Sequence, residues 1–240
     1  MKTLSHAFWR FSLLALAFLL LSEATARTYT TNFPLTENPI SEAGNWINGG
    51  TVGLDWTNVS TTPGLAIGRE SGTIDYDDAT ALLTGSWGPN QTVTATVYTV
   101  NQNDSIYEEV ELRLRSSLSA HQCTGYEINF SARSSSNAYV QIVRWNGPLG
   151  NFTYLAAQQG SAYGIRTGDV VKATIVGNVI TAFINNVQVL QATDNTYTTG
   201  SPGMGFYLQN ATGKNGDYGF TSFSATDGGL PPPTNLRVVP

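Results

Sequence analysis

Residues 194–206 read Asp-Asn-Thr-Tyr-Thr-Thr-Gly-Ser-Pro-Gly-Met-Gly-Phe, and this stretch decides the fold class. It follows a hairpin predicted to turn at Asn185-Asn186 and precedes an aromatic strand predicted over residues 217–225. Glycine and proline are the strongest local markers of turns, so we interpret Gly203-Met204-Gly205 as a turn. The stretch therefore connects two strands near the end of the sequence.

The segments before this stretch read as short strands whose side chains alternate between two faces. In residues 92–100, one face carries Val93, Ala95 and Val97. Residues 109–115 read EVELRLR, so the face opposite its valine and leucines carries Glu109, Glu111, Arg113 and Arg115. A second hairpin is predicted at Gly177-Asn178, where two residues tolerate positive φ. Short strands at this spacing, without amphipathic helices between them, favour an antiparallel two-sheet sandwich.

The motif Asp-x-x-Tyr-x-x-Gly-x-Pro-Gly-x-Gly, from Asp194 to Gly205, lies between a hairpin and a closing strand. In this the chain resembles the concanavalin A-like lectin/glucanase superfamily, which includes laminin-G-like and 3-keto-glycoside-hydrolase-like domains. The resemblance implies an all-β fold, a two-sheet antiparallel jelly-roll sandwich. It implies no single reaction, because this scaffold hosts lectins, hydrolases, lyases and adhesion modules.

The first 26 residues have the pattern of a secretory signal peptide. Lys2 and Arg10 form a positive start, residues 11–21 are apolar, and Ala-Thr-Ala at residues 24–26 is a cleavage site. The apolar run is too short to span a bilayer. We therefore expect a secreted, extracellular protein with no membrane insertion after cleavage.

The rest of the chain divides into a sandwich domain over residues 27–227 and a tail over residues 228–240. The tail is rich in glycine and proline, and proline cannot donate to a sheet ladder, so we interpret it as a semi-rigid linker.

Charge and cysteine content exclude several classes of function. The formal net charge is −5, from 12 basic and 17 acidic residues, which is the wrong sign for a nucleic-acid partner. The single cysteine, Cys123, excludes an intrachain disulfide and is predicted to be a buried thiol. His121 is the one histidine beyond the signal peptide, and without a G-x-S-x-G motif or further ligands it predicts neither a triad nor a zinc site.

Paired carboxylates keep an enzymatic function open. Glu109 and Glu111 project from one face of a strand, and glycoside hydrolases use two carboxyl groups. Glucanases of the superfamily carry a Glu-x-Asp-x-Glu strand, and here Arg113 stands where the last carboxylate belongs. A divergent hydrolase would use Glu109, Glu111, Arg113 and Glu127. The competing interpretation, which we favour from the sequence, is a solvated sheet face with opposite charges paired across strands.

A polysaccharide lyase is the second enzymatic alternative. Arg113, Gln141 and Tyr139 are candidates to neutralise a uronate carboxylate and abstract a proton. Val110 and Val143 replace the arginine and histidine of the lyase pattern, which weakens this alternative.

Carbohydrate recognition on a concave sheet is the leading hypothesis, with an extracellular or cell-wall polysaccharide as partner. Aromatic faces and planar polar side chains hold sugars. The candidate binding residues are Glu111, Arg113, Glu127, Asn129, Tyr139, Gln141 and Trp145. Trp145 also fits a core position, and core and loop-platform roles are equally open for Trp46, Trp56 and Trp87. A third hypothesis is a structural or adhesive surface module.

The resemblance also implies a structural calcium ion between the first and last strands. Asp217, with Glu37 or Asn215, is the candidate ligand. The acidic run of Asp75, Asp77 and Asp78 is a second calcium candidate, although we favour a turn there, because aspartate hydrogen-bonds its own backbone in turns.

Overall fold

The computed structural model describes residues 26–210 and 212–228. The predicted signal peptide and the predicted tail lie outside the described residues, apart from Ala26 and Gly228. The strands are β1 (Thr28–Thr31), β2 (Trp46–Asn48), β3 (Ser60–Thr62), β4 (Leu65–Ile67), β5 (Ala79–Leu83), β6 (Gln91–Thr99), β7 (Tyr107–Ser119), β8 (Gln122–Ser131), β9 (Tyr139–Gly147), β10 (Phe152–Gln159), β11 (Val170–Val176), β12 (Val179–Ile184), β13 (Val187–Thr193), β14 (Ser201–Gln209) and β15 (Tyr218–Thr226).

The strands form two antiparallel sheets. The eight-stranded sheet has the order β13-β12-β11-β6-β15-β4-β3, with β1 also paired to β15. The seven-stranded sheet has the order β10-β9-β8-β7-β14-β5-β2. Helical structure within the described ranges is limited to the short 3₁₀ turns Gly50–Val52, Ser161–Tyr163 and Asn215–Asp217. None of these is long or apolar enough to cross a bilayer. The predicted two-sheet jelly-roll sandwich is confirmed.

The hydrophobic core lies between the two sheets, as the alternation of side chains predicts. Val93, Ala95 and Val97 of β6 are almost fully buried. From the facing sheet, β7 contributes Val110, Leu112 and Leu114, all fully buried. Because side chains alternate along a strand, the residues between these project onto the outer faces of the sandwich.

The glycine-rich stretch corrects one prediction. Gly203, Met204 and Gly205 do not form a turn but lie in β14, a central strand between β7 and β5. Pro202 falls where the β14–β7 register shifts, so its missing N–H interrupts the ladder at an existing irregularity. Met204 enters the core, and the two glycines therefore face the outer surface of the seven-stranded sheet.

Both predicted hairpin turns are present. Gly177 has a φ of +60°, and Asn185 and Asn186 have φ values of +52° and +64°, which suit two-residue turns. Arg115 differs from its prediction because the β7–β8 pairing shifts between Leu114 and Ser117. The shift takes Arg115 away from the face of Glu109, Glu111 and Arg113, and its guanidinium donates to carbonyls of Pro89, Tyr197 and Gly177.

Candidate functional site

The outer face of the seven-stranded sheet carries a cleft of about 950 Å³. Strands β7, β8 and β9 supply its floor, and neighbouring segments supply aromatic walls. Those walls include Tyr76, Phe152, Tyr154 and Tyr207. Phe152 lies 5.2 Å from both Tyr76 and Tyr154, measured between ring centroids, so the walls form one connected aromatic surface.

The charged side chains of β7 are not solvated, which corrects the interpretation favoured from the sequence. Glu111 is 1% exposed and Arg113 is fully buried, although both project from the outer face. Glu109, beside them, is 6% exposed. Burying an ionised group is costly unless it is paired, so the partners of these side chains determine what the site can do.

Arg113 is the centre of a buried ion cluster, which we define as Asp78, Glu111, Arg113 and Glu127. Its Nη2 lies 2.5 Å from Glu111 Oε2 and 3.2 Å from Asp78 Oδ2. The same nitrogen donates to Thr80 Oγ1 at 3.1 Å, while Nη1 contacts the Glu127 carboxylate. Three carboxyl groups therefore share one guanidinium, and the buried ion cluster holds two more acidic groups than basic ones.

Gly205 provides the space for the buried ion cluster. A Cβ built on Gly205 would lie 2.2 Å from Glu111 Oε2 and 3.0 Å from Arg113 Nη2. Because β14 pairs with β7 and places Gly205 opposite Glu111, any larger residue there would push into the ion pair. The Gly-x-Gly motif thus opens the floor of the cleft.

Aromatic side chains fix the carboxylates from their other sides. Trp145 Nε1 donates to Glu127 Oε2 at 2.5 Å, and the Tyr139 hydroxyl donates to Glu109 Oε1. Trp145 is 2% exposed and packs edge-on against Trp56 at 4.4 Å between ring centroids. The packing interpretation of Trp145 is therefore confirmed, and because the residue also lines the cleft, its role in binding stays a prediction.

The other three tryptophans in the described part of the chain are buried as well. Trp46 and Trp87 belong to the core between the sheets. Trp56 lies on the outer face, with the Arg113 guanidinium 5.1 Å from its ring centroid. It forms a second apolar cluster with residues that include Cys123, whose predicted burial is confirmed.

Burial makes the carboxyl groups of the cleft weaker acids. Desolvation, with the nearby Glu127 charge, raises the pKa of Glu109 to about 7 even though Tyr139 donates to it. For Glu111, desolvation and the Asp78 and Glu127 charges raise the pKa well above its ordinary value, against the opposing effect of Arg113. The pKa of Asp78 is raised in the same way. Near neutral pH the site can therefore hold and release protons.

The three carboxyl groups of the buried ion cluster are a possible ligand set for a cation. Oxygens of Asp78, Glu111 and Glu127 lie within 4.8 Å of one another and have the hardness that calcium prefers. The Arg113 guanidinium contacts all three carboxylates, so it already supplies the positive charge that a metal would bring. The arrangement does not fit calcium while Arg113 occupies it.

Asp217 is not part of that group, which is the one set of three such ligands within residues 26–210 and 212–228. The Glu37 carboxylate accepts the backbone N–H groups of Ser41 and Glu42 instead. Asn215 hydrogen-bonds the backbone of Glu70. Calcium binding by Asp217 stays a prediction.

The candidate binding residues from the sequence meet on one face. The cleft is lined by Glu111, Glu127, Asn129, Tyr139, Gln141 and Trp145, together with Glu109. Arg113 lies beneath this floor. His121 lies on the β7–β8 turn outside the lining, with Nδ1 2.9 Å from Asp55 Oδ1.

Sequence reasoning missed Asp78 and the aromatic walls. Asp78 was assigned to a turn, and only Asp75 of that acidic run lies in one, since Asp77 and Asp78 are buried before β5. Tyr154 and Tyr207 lie in β10 and β14, and alternation with buried neighbours could have placed Tyr207 on the outer face.

Comparisons with known proteins place the fold. No protein family model matches the chain, and no curated protein sequence matches it. Carbohydrate-binding module CBM66 from Bacillus subtilis is similar in structure, with a TM-score of 0.50 and 18% identity, over 72% of this chain and 96% of that one.

Two further structures extend over more of the chain. The carbohydrate recognition domain of Emp46p in its metal-free form has a TM-score of 0.56 at 12% identity, over 84% of this chain and 97% of that one. The exoplasmic/lumenal domain of VIP36 in its Ca²⁺-bound form has a TM-score of 0.57 at 10% identity, over 82% and 90%. These likenesses confirm the concanavalin A-like fold.

Proposed function

We propose that the chain is a carbohydrate-recognition module and that the cleft on the seven-stranded sheet is its binding site. The observation that carries the proposal is the combination of exposed tyrosines and buried polar groups around one cleft. Tyr107 and Tyr154 line the cleft and are 41% and 57% exposed, so their rings are accessible to a ligand there. Their faces suit the C–H surfaces of a sugar, and the carboxylates and amides between them suit its hydroxyl groups.

The structural neighbours support the same class of function. CBM66 is described as a carbohydrate-binding module and Emp46p as having a carbohydrate recognition domain. The ligand we propose is an extracellular or cell-wall polysaccharide, because the signal-peptide pattern at residues 1–26 predicts export. An open cleft with walls on several strands suits one or a few units of a longer polymer.

Depletion from solution onto a panel of insoluble polysaccharides tests the proposal. We expect retention on at least one polymer, and Tyr154→Ala should weaken it by about fivefold because an exposed aromatic contact is lost. Val187→Ala, an equally exposed apolar residue on β13 of the opposite sheet, is the matched control and should change nothing. Both variants should keep their stability within about 0.5 kcal/mol. Absence of retention on every polymer would contradict the proposal.

Glycoside hydrolysis is the second candidate function, and one observation favours it. Glu109, whose pKa burial raises to about 7, lies on the same floor as two other carboxyl groups, and a carboxyl group that is protonated near neutral pH is what a general acid requires. Mass spectrometry of polysaccharide supernatants decides between the candidates. Oligosaccharide release that Glu109→Gln abolishes would establish hydrolysis, and unchanged polymers would leave recognition alone.

The geometry disfavours the lyase alternative. Arg113 is fully buried and already contacts three carboxylates, so it is not available to neutralise a uronate. Burial, with the Glu109 charge beside it, raises the pKa of Tyr139 well above its ordinary value, which opposes its use as a base.

A further inference from the structure

The charged groups around the cleft are mostly acidic. The acidic side chains that line it are Asp78, Asp104, Glu109, Glu111 and Glu127. The basic side chain that lines it is Arg133. Its guanidinium stacks 3.8 Å from the Tyr107 ring centroid, and its Nε donates to the Ile106 carbonyl at 3.1 Å. A ligand in the cleft therefore meets more acidic than basic side chains.

Several carboxylate oxygens on the floor have no internal partner. Glu109 uses Oε1 for Tyr139, Asp78 uses Oδ2 for Arg113, and Glu127 uses Oε2 for Trp145. The second oxygen of each group accepts no hydrogen bond from the described part of the chain, and none of them is fully buried. These three oxygens are acceptors that a ligand can reach, so they favour a ligand rich in hydrogen-bond donors.

The buried ion cluster adds a charge argument. Asp78, Glu111 and Glu127 surround the single Arg113 guanidinium, and Glu109 adds another carboxylate beside them. A uronate would bring a further negative charge into this poorly solvated site, where charge repulsion is strong. An ammonium group would supply a missing positive charge and up to three donors for charge-assisted hydrogen bonds.

We propose that the cleft selects an aminated, positively charged sugar unit over a neutral or a uronic one. This inference rests on the proposed carbohydrate-recognition function and names the chemical class of its ligand. The aromatic walls agree with it, because the faces of Tyr76, Tyr154 and Tyr207 attract a cation as well as C–H groups. The ammonium would lie at the floor, near the free oxygens of Glu109, Asp78 and Glu127.

Matched pairs of saccharides test the inference by calorimetry. The probes are glucosamine against glucose, galactosamine against galactose, mannosamine against mannose, and β-1,4-glucosamine oligomers against cello-oligosaccharides. Each pair differs by a 2-ammonium in place of a 2-hydroxyl, at about pH 6, where an amine of this kind is protonated. We expect the amino member of at least one pair to bind about tenfold more tightly, with the advantage falling as salt is added.

Two variants locate the preference. Glu109→Gln keeps an acceptor for Tyr139 but removes a carboxyl group that a bound ammonium would hold in its ionised form, so the ratio of amino to neutral affinity should lose most of its tenfold advantage. Asp169→Asn, on the opposite sheet before β11, makes the same change in net charge and should keep the preference.

Each outcome has a distinct meaning. Equal binding of amino and neutral members, or tighter binding of oligogalacturonate, would overturn the inference and leave the recognition function standing. A preference that Asp169→Asn removes as fully as Glu109→Gln would overturn the placement at the floor. Failure of every saccharide here and every polymer in the depletion assay would overturn both proposals together.

Discussion

Arg113 shows how a single residue organises the candidate site. A guanidinium without solvent access is stable only if its charge and hydrogen-bond donors are satisfied nearby. Asp78, Glu111 and Glu127 balance the charge from three directions, and the Trp56 ring covers a fourth, while the hydrogen bonds are all made by Nη2. The arrangement needs space on the adjacent strand, which makes Gly205 as important to the site as the charged residues.

Gly205→Ala is therefore predicted to damage the site and the fold together. The new Cβ would lie 2.2 Å from Glu111 Oε2, so either the Glu111–Arg113 ion pair or β14 must shift. We expect a loss of about 1–3 kcal/mol in the free energy of unfolding, measured by urea denaturation. Gly216→Ala is the matched control, because nothing lies within 4 Å of its Cβ, and it should cost less than about 0.5 kcal/mol. Equal effects of the two substitutions would contradict this role for Gly205.

The residue-scale features were only partly predictable from the sequence. Alternation in residues 109–115 correctly separated Leu112 from Glu111 and Arg113. It could not tell whether the polar face meets water, because that depends on which other segments cover it. Asp78 comes from a distant part of the sequence, and nothing local distinguishes a buried aspartate from one in a turn.

At the scale of elements, the segment over residues 49–57 covers part of the outer face of the seven-stranded sheet, next to the cleft residue Trp145. It carries Leu54 and Trp56, which pack on Cys123, Val143 and Trp145 of the seven-stranded sheet. The hydrophobic residues of the segment follow the period of neither a strand nor a helix. The sequence therefore does not predict where the ring of Trp56 packs. Gly49 is the N-cap of the 3₁₀ turn Gly50–Val52, with which the segment begins.

Cys123 lies beneath this segment, so the rate at which its thiol reacts measures how often residues 49–57 move away from the sheet. We expect a thiol reagent to label native protein very slowly, because Cys123 is buried and burial raises its pKa to about 12. Trp56→Ala should increase the labelling rate by more than its loss of global stability explains, since it removes the cover directly.

Trp87→Ala is the control for that experiment. It makes the same substitution in the core between the sheets, with an expected cost of about 3–5 kcal/mol, but it leaves residues 49–57 in contact with Cys123. If the labelling rate of Cys123 follows the free energy of unfolding in both variants, residues 49–57 leave the sheet only when the whole protein unfolds.

At the scale of the whole molecule, features that depend on residues close in sequence were predicted correctly. Pairings between strands distant in sequence were not. Both hairpins and the alternation of β6 and β7 are local, and the structure confirms them. Strand β14 pairs with β7 and β5, which are distant from it in sequence. Because local sequence gives no sign of this pairing, Gly203 and Gly205 were predicted to form a turn. The cleft depends on that pairing, which is why its floor was predicted from β7 to β9 and its aromatic walls were not.

The buried carboxyl groups of the whole sandwich predict an unusual dependence of stability on pH. Desolvation raises the pKa of Glu70 to about 8 and that of Glu109 to about 7, from an ordinary value of 4.5. Between about pH 4.5 and pH 8, the native state then binds more protons than the unfolded state. The free energy of unfolding must therefore fall as pH rises through this range. We expect the free energy of unfolding to be largest near pH 4.5 and to fall by on the order of a few kcal/mol by about pH 8.

Urea denaturation at intervals across this range measures the slope directly. Glu70→Gln removes one titrating group while its side-chain oxygen can still accept the Ala79 N–H, so the decline should become shallower. Stability that stays level or rises from pH 5 to pH 8 in the unsubstituted protein would mean that these carboxyl groups are ionised in the folded state, and the excess acidity of the cleft would then need a counter-ion other than a proton.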